Sequence, residues 1–148
     1  MKKILFALLL FVATASQAMG VPDVNEKILK AFKETFTYAE DVVWQEMDNV
    51  YQVNFWQGEI NIRARYDKLG NLLGTIRYYY EKQLPPAILA KIKSKYAGKA
   101  IFGVTEVSSE EETNFFVSLR DDKNWYTVRS DIYGNLQQTD KFKRAEGD

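Results

Sequence analysis

The feature that most constrains the fold is an internal repeat. The segment YDKLGNL, from Tyr66 to Leu72, recurs as SDIYGNL from Ser130 to Leu136, 64 residues later. At the same offset an alternating apolar pattern is repeated: Tyr51, Val53 and Phe55 are matched by Phe115, Val117 and Leu119. Because the apolar pattern and the turn recur in the same order, we predict one domain over residues 19–142, built from two copies of a unit, at about 21–80 and 84–142.

Each copy begins with a segment whose apolar residues recur every three or four positions. These positions are Val24, Ile28, Phe32 and Phe36 in the first copy, and Ile88, Leu89, Ile92 and Tyr96 in the second. Pro22 and the Pro85-Pro86 pair stand where a helix favours proline, in its first turn. Both segments are therefore predicted to be amphipathic helices that cover an apolar surface.

Runs rich in Val, Ile, Tyr, Phe and Trp follow each predicted helix and indicate strands. The runs are residues 42–56, 59–66 and 72–80 in the first copy, and 101–107, 114–120, 124–131 and 136–142 in the second. Short breaks favour antiparallel pairing of consecutive strands. The predicted fold class is α+β, a tandem repeat of a helix plus an antiparallel β-meander, forming one curved sheet with the helices on one face. Residues 143–148 are polar and are predicted to be a flexible tail.

Residues 1–18 are predicted to be a secretory signal peptide. Two lysines precede an apolar run over residues 4–13, which is too short for a membrane span of about 20 apolar residues. Small residues favour cleavage after Ala18, and cleavage after Gly20 is a second option. The chain has no cysteine that could carry a lipid, so the mature protein is expected in the periplasm without a membrane anchor.

The composition excludes several classes of site. With neither cysteine nor histidine in 148 residues, the chain has no zinc finger, disulfide, haem-ligating histidine, cysteine nucleophile or Ser-His-Asp triad. The 20 basic residues are balanced by 20 acidic ones, which argues against a nucleic-acid partner. No phosphate loop, nucleophile elbow or distinctive carboxylate pair is recognisable. We therefore assign no catalytic residue, metal or cofactor, and predict that the protein is not an enzyme.

Alternation along the predicted strands sorts their side chains into two faces of the sheet. One face is apolar and should lie under the helices. The opposite, open face collects the residue types that dominate protein-binding hot spots, which are Trp56, Arg63, Arg65, Arg77, Tyr79, Arg120, Trp125 and Arg129. We predict that this open face binds a protein or peptide, although arginines stacked over aromatic rings can also simply solubilise an exposed sheet.

The order of motifs along the chain is similar to that of a known family. The first copy carries Val21-Pro22, Ala31-Phe32, Phe36, Val42, Trp44, Tyr51-x-Val53-x-Phe55 and Tyr66-Asp67-x-x-Gly70, and the second Leu84-Pro85, Tyr96, Trp125-Tyr126 and Asp131-x-x-Gly134-Asn135. This order resembles the PepSY-like family of exported bacterial proteins over essentially the whole mature chain. The resemblance implies the fold of β-lactamase-inhibitor proteins (BLIP), whose concave, aromatic-rich sheet face grips the enzyme.

The sequence thus predicts an exported, periplasmic, non-enzymatic module that binds an unidentified protein or peptide, with inhibition of that partner as one form of the function. A small-molecule carrier in the cell envelope is the alternative, and it needs a closed apolar pocket between helices and sheet. A hydrolase with an unrecognised carboxylate pair is a third reading. A homodimer formed through the open face is also compatible with the residues.

Overall fold

The computed structural model describes residues 22–145. The predicted signal peptide and both of its cleavage sites lie outside the described residues. Within the described range no helix is long and apolar enough to cross a membrane.

The first repeat is a helix followed by four antiparallel strands. The helix begins later than the predicted Pro22, because Asn25 is its N-cap and accepts a hydrogen bond from the backbone N–H of Ile28 at 3.1 Å. The elements are α1 (Glu26–Thr35), β1 (Glu40–Met47), β2 (Val50–Gln57), β3 (Ile60–Asp67) and β4 (Leu72–Tyr79).

The apolar run predicted as one strand over residues 42–56 is in fact two strands, β1 and β2. A turn at Asp48-Asn49 separates them, and Asp48 has a positive φ of 53°. The sequence interpretation missed this turn because it contains neither glycine nor proline. Aspartate tolerates the left-handed conformation better than most residues, so the Asp-Asn pair was the available signal.

The second repeat has the same order of elements. Its helix begins with Pro86 at the first helical position, as predicted. The elements are α2 (Pro86–Lys95), β5 (Ala100–Ser109), β6 (Thr113–Arg120), β7 (Asn124–Asp131) and β8 (Leu136–Lys143). The predicted flexible tail starts too early, because Lys143 pairs with Asn124 and the backbone N–H of Arg144 donates to Lys123 at 2.9 Å.

Within residues 22–145 the eight strands form one antiparallel sheet in sequential order, β1 to β8, so the predicted tandem α+β fold is confirmed. Directly paired residues point to the same side of the sheet. In the second repeat Tyr79 pairs with Val104, Val104 with Val117, and Val117 with Val128, so these four side chains lie on one side. In the first repeat Ala64 pairs with Thr75, and Thr75 lies on the same face of β4 as Tyr79. The two sets therefore lie on the same side of the sheet. Both helices cover this side, which we call the inner face.

Two apolar clusters fill the space between the helices and the inner face. The cluster under α1 is centred on Ile28, Phe55 and Tyr66, and the cluster under α2 on Ile92 and Leu119. These side chains are at most 1% exposed. Ile60 packs against both clusters, so the two repeats share one continuous core. This core holds the sheet against the helices and leaves the opposite side, the outer face, uncovered.

Candidate functional site

The outer face carries six of the eight predicted site residues. On β2 and β3, Arg65 pairs with Gln52, and Arg63 pairs with Asn54. On β6 and β7, Arg120 pairs with Trp125. The six residues on this face are Trp56, Arg63, Arg65, Arg120, Trp125 and Arg129. The predicted face is therefore correct for these positions, and their role in binding stays a prediction.

Arg77 and Tyr79 lie on the inner face, so their predicted placement on the open face is wrong. Arg77 pairs with the buried Ile62, and Tyr79 pairs with Val104 and is only 5% exposed. The run Leu72–Tyr79 has large side chains on both faces, so its hydrophobic pattern does not reveal which face is buried. A β-bulge between Arg65 and Tyr66 shifts the register with β4, and only this pairing decides the face.

On the inner face these two residues form a polar cluster with Glu106 at the boundary between the repeats. The Tyr79 hydroxyl donates to Glu106 Oε2 at 2.7 Å, and Arg77 Nη1 lies 3.5 Å from Glu106 Oε1. Burial, together with the nearby Glu106 carboxylate, raises the pKa of Tyr79 far above its usual value. The hydroxyl therefore remains a donor, and the cluster compensates a carboxylate whose side chain is only 14% exposed.

The sequence interpretation missed the apolar part of the outer face. Tyr78, next to the misplaced Tyr79, lies on this face, since it pairs with the outer residue Asn61. Several further apolar residues share the outer face, namely Met47, Ile76, Phe102, Val107, Phe116 and Phe142. The exposed fraction is 48% for Met47, 53% for Phe102 and 60% for Phe142. These residues could be found only by extending the strand register from the neighbouring outer residues.

Three outer arginines are held in place by side-chain amides of the adjacent strand. Each arginine donates its Nε–H to an amide oxygen: Arg63 to Asn54 at 3.0 Å, Arg65 to Gln52 at 3.2 Å, and Arg129 to Asn114 at 2.8 Å. Gln52 is 5% exposed and Asn114 is 6% exposed, so these amides are rigid anchors. A neutral amide orients a guanidinium group without cancelling its charge. Arg63 and Arg65 therefore keep their terminal N–H groups for other acceptors, whereas Arg129 Nη2 lies 3.9 Å from Glu112 Oε2.

The outer face of the second repeat carries an aromatic cluster. The rings of Phe102 and Trp125 meet edge to face, with centroids 4.8 Å apart. The Arg120 guanidinium lies 5.3 Å from the Phe102 ring and 5.7 Å from the Trp125 ring, and Arg144 lies 5.9 Å from Trp125. These are cation–π distances. The contacts make a stiff platform of rings and guanidinium groups that an apolar or aromatic side chain could cover.

A cavity of about 460 Å³ opens on the outer face of the first repeat. Its lining combines apolar and charged residues from β1 to β5: Met47, Asp48, Val50, Arg63, Arg65, Leu73, Gly74, Thr75, Ile76, Val107 and Ser108. Within residues 22–145 no group of three or more His, Cys, Asp or Glu side chains is placed to hold a metal ion. The charged groups of the lining are the guanidinium groups of Arg63 and Arg65 and the carboxylate of Asp48, beside apolar side chains.

Solved structures with the same architecture come from Bacteroides species. A BLIP-like protein of Bacteroides fragilis matches with a TM-score of 0.63 at 21% identity, covering 87% of this chain and 92% of the other. A candidate periplasmic protein of Bacteroides eggerthii matches with a TM-score of 0.62 at 13% identity, covering 85% and 94%. A DUF2874 family protein of Bacteroides ovatus matches with a TM-score of 0.62 at 18% identity, covering 82% and 89%.

No family model matches the sequence of this chain, and no curated protein matches it. The structural matches nevertheless extend over most of the chain and over most of each matched protein. They confirm, at the level of the fold, the resemblance that the motifs indicated. This chain has the BLIP-like tandem fold of helix-plus-meander units in one open sheet.

Proposed function

We propose that the protein is an exported, non-enzymatic binding module of the periplasm that engages a protein or peptide through its outer face. Three observations support this proposal. The first 18 residues have the layout of a signal peptide. The fold is shared with a BLIP-like protein and with a candidate periplasmic protein. The helices bury one face of the sheet and leave the other uncovered.

The observation that carries the proposal is the composition of the uncovered face. Trp56, Phe102 and Phe142 are 43%, 53% and 60% exposed, and they stand among clamped or stacked arginines. Large, stiff aromatic groups and oriented guanidinium groups lose little conformational entropy when a partner covers them. Exposed aromatic side chains beside arginines are typical of interaction sites. Inhibition of the bound partner is the finer form of the proposal, and it rests on the similarity to the BLIP-like protein.

The experiment compares capture by three forms of the mature protein. Each form is cross-linked in native periplasmic extract and pulled down. One variant changes four outer-face residues to alanine: Trp56→Ala, Arg65→Ala, Trp125→Ala and Arg129→Ala. The control variant, Tyr38→Ala with Tyr133→Ala, removes aromatic side chains that are 77% and 75% exposed and lie outside the strands. Circular dichroism checks that all three forms fold.

We expect one partner to be captured by the wild type and by the control, and lost with the outer-face variant. Capture that survives the outer-face variant would place the binding site elsewhere. If all forms are folded and none captures a protein, the proposal fails. In that case a co-purified small molecule in native mass spectrometry would favour the carrier instead. Purified partner protein, assayed with and without the captured module, then tests inhibition directly.

A further inference from the structure

The cavity on the outer face of the first repeat has an uncompensated positive charge. Two guanidinium groups, Arg63 and Arg65, line it against one carboxylate, Asp48. Within the described part of the chain no acidic side chain forms an ion pair with either arginine. Other arginines of the sheet do have carboxylate partners, since Arg77 lies 3.5 Å from Glu106 and Arg129 lies 3.9 Å from Glu112. The cavity thus concentrates positive charge that the protein itself does not neutralise.

The two arginines are also pre-organised. Their Nε–H groups are occupied by Asn54 and Gln52, which fixes each guanidinium plane from one side. Because they are separated by one residue on β3, their side chains leave the sheet on the same face about 7 Å apart. Among residues 22–145 no recorded hydrogen bond or ion pair occupies their Nη groups, which can donate to a carboxylate, the acceptor that a planar guanidinium fork fits best.

Apolar side chains also line the cavity, beside the polar residues Thr75 and Ser108. Met47, Leu73 and Val107 are 48%, 41% and 37% exposed, and Ile76 lies directly opposite Arg63. Gly74, opposite Arg65, adds no side chain to the lining, and a Cβ at this position would lie 2.6 Å from the Ser108 carbonyl oxygen. A ligand that fills the cavity therefore needs an apolar group beside its negative charge.

We propose that this cavity is the subsite of the outer face that receives an acidic side chain of the bound peptide, with an adjacent aliphatic side chain packed on Met47, Ile76 and Val107. The proposal rests on the proposed function and specifies the chemistry of the partner. The positive charge of Arg63 and Arg65 favours an acidic side chain of the peptide. The apolar side chains of the cavity favour an aliphatic residue next to that acid. The partner is thus a protein or peptide that presents Asp or Glu next to Leu, Ile or Val in an exposed segment.

The test selects peptides from a random heptapeptide display library on the full mature protein. The same selection is run on the variant Arg63→Gln with Arg65→Gln, which preserves a polar side chain but removes both charges. The control variant is Lys30→Gln with Lys33→Gln, which removes two positive charges from the exposed side of α1. We expect the wild type and the control to enrich peptides that pair an acid with an aliphatic residue, and we expect the arginine variant to lose this enrichment.

A double-mutant cycle then measures the contact itself. Replacing the acid of a selected peptide by its amide should raise Kd about tenfold for the wild type, because the charge-assisted hydrogen bonds to the arginines are lost. The same replacement should leave Kd unchanged for the arginine variant, because that variant has already lost these hydrogen bonds. Equal effects of the amide peptide on both proteins would overturn the subsite. The control variant should reproduce the wild-type Kd within about twofold, since exposed charges outside the site contribute little.

The possible failures are distinguishable. Peptides that lack acids, yet lose binding when Trp56 and Trp125 are changed to alanine, would overturn the acidic subsite and leave the proposed function standing. Failure to select any peptide, or selection of peptides that bind all outer-face variants equally, would overturn the acidic subsite. The proposed function would fail as well only if the wild type also captures no protein from the periplasmic extract. Binding of dodecanoate to the wild type but not to the arginine variant, with no peptide selected, would assign the cavity to an anionic amphiphile and also overturn the proposal.

Discussion

The two repeats share one scaffold but fill it differently. Under α1 the core is aromatic, with ring centroids 5.1 Å apart for Phe32 and Phe55, and 5.3 Å apart for Phe32 and Trp44. Under α2 the core is mainly aliphatic, and Leu119 occupies the position that corresponds to Phe55. The repeat pattern therefore determines which positions are apolar, while the size and shape of the side chains at those positions differ between the two repeats.

The outer faces of the two repeats differ more than their cores. The first repeat presents Arg63 and Arg65, clamped by amides beside an apolar cavity. The second presents the stacked cluster of Phe102, Arg120 and Trp125. Because the outer face does not have to pack against a helix, its residues can diverge between the copies without loss of the fold. The two halves therefore share the apolar pattern of the inner face and differ in the side chains of the outer face.

The largest expected effect tests whether the repeats fold as one unit. Ile28→Ala and Ile88→Ala remove equivalent side chains that are 0% and 2% exposed. Each should lower the free energy of unfolding by about 2–5 kcal/mol, because a buried isoleucine leaves a cavity. In urea unfolding followed by circular dichroism and by tryptophan fluorescence, both variants should show one coincident transition. Separate transitions by the two probes would show that the repeats unfold independently.

A smaller effect is expected at the matched turn glycines. Gly70 and Gly134 have φ values of 88° and 78°, so alanine at either position incurs about 1–2 kcal/mol of left-handed strain. Gly70→Ala should be the more damaging of the two. Its Cβ would lie 3.3 Å from the Lys27 carbonyl oxygen, whereas at Gly134 the nearest atoms belong to the flexible Lys91 side chain. Denaturation midpoints that rank the two variants in the opposite order would contradict this reading.

The smallest effect concerns the turn between β6 and β7, where the repeats use different chemistry. In the first repeat the corresponding turn contains Gly58, with a φ of 59°. In the second, Asp121 accepts hydrogen bonds from Lys99 at 2.8 Å, from the Tyr126 hydroxyl at 2.7 Å, and from backbone N–H groups of the turn. The Lys99 ammonium, followed by Tyr126, lowers the pKa of Asp121 well below its usual value.

Since the folded state lowers this pKa, ionised Asp121 stabilises the fold above the unfolded value of about 3.9, and the contribution is lost as the pH falls below it. Asp121→Asn should therefore unfold at a lower urea concentration than the wild type at pH 7, with the difference shrinking towards pH 3. Asp122→Asn, at the exposed neighbouring position, is the control and should behave like the wild type. A difference that stays constant with pH would contradict the assigned role of the charge.

The sequence predicted the fold more accurately than the site. The repeat and the helix periodicity at Ile28 and Phe32 were enough to predict the tandem architecture. Arg77 and Tyr79 were misplaced because β4 carries large residues on both sides, and its register with β3 depends on a bulge at Leu73 of β4. The amide clamps could not be foreseen, because the pairing of Arg63 with Asn54 or of Arg65 with Gln52 requires the register between strands.

The sequence by itself determined the features that depend on the local spacing of apolar residues. Apolar spacing determines which segments are helices and strands, and the repeated turn at Gly70 and Gly134 determines that the unit occurs twice. Only the tertiary structure decided which side chains meet across strands. Those contacts join residues far apart in the chain through the sheet register, and a shift of one residue moves each side chain to the other face. The clamped arginines, the cavity beside them and the Phe102–Trp125 cluster all arise at this level.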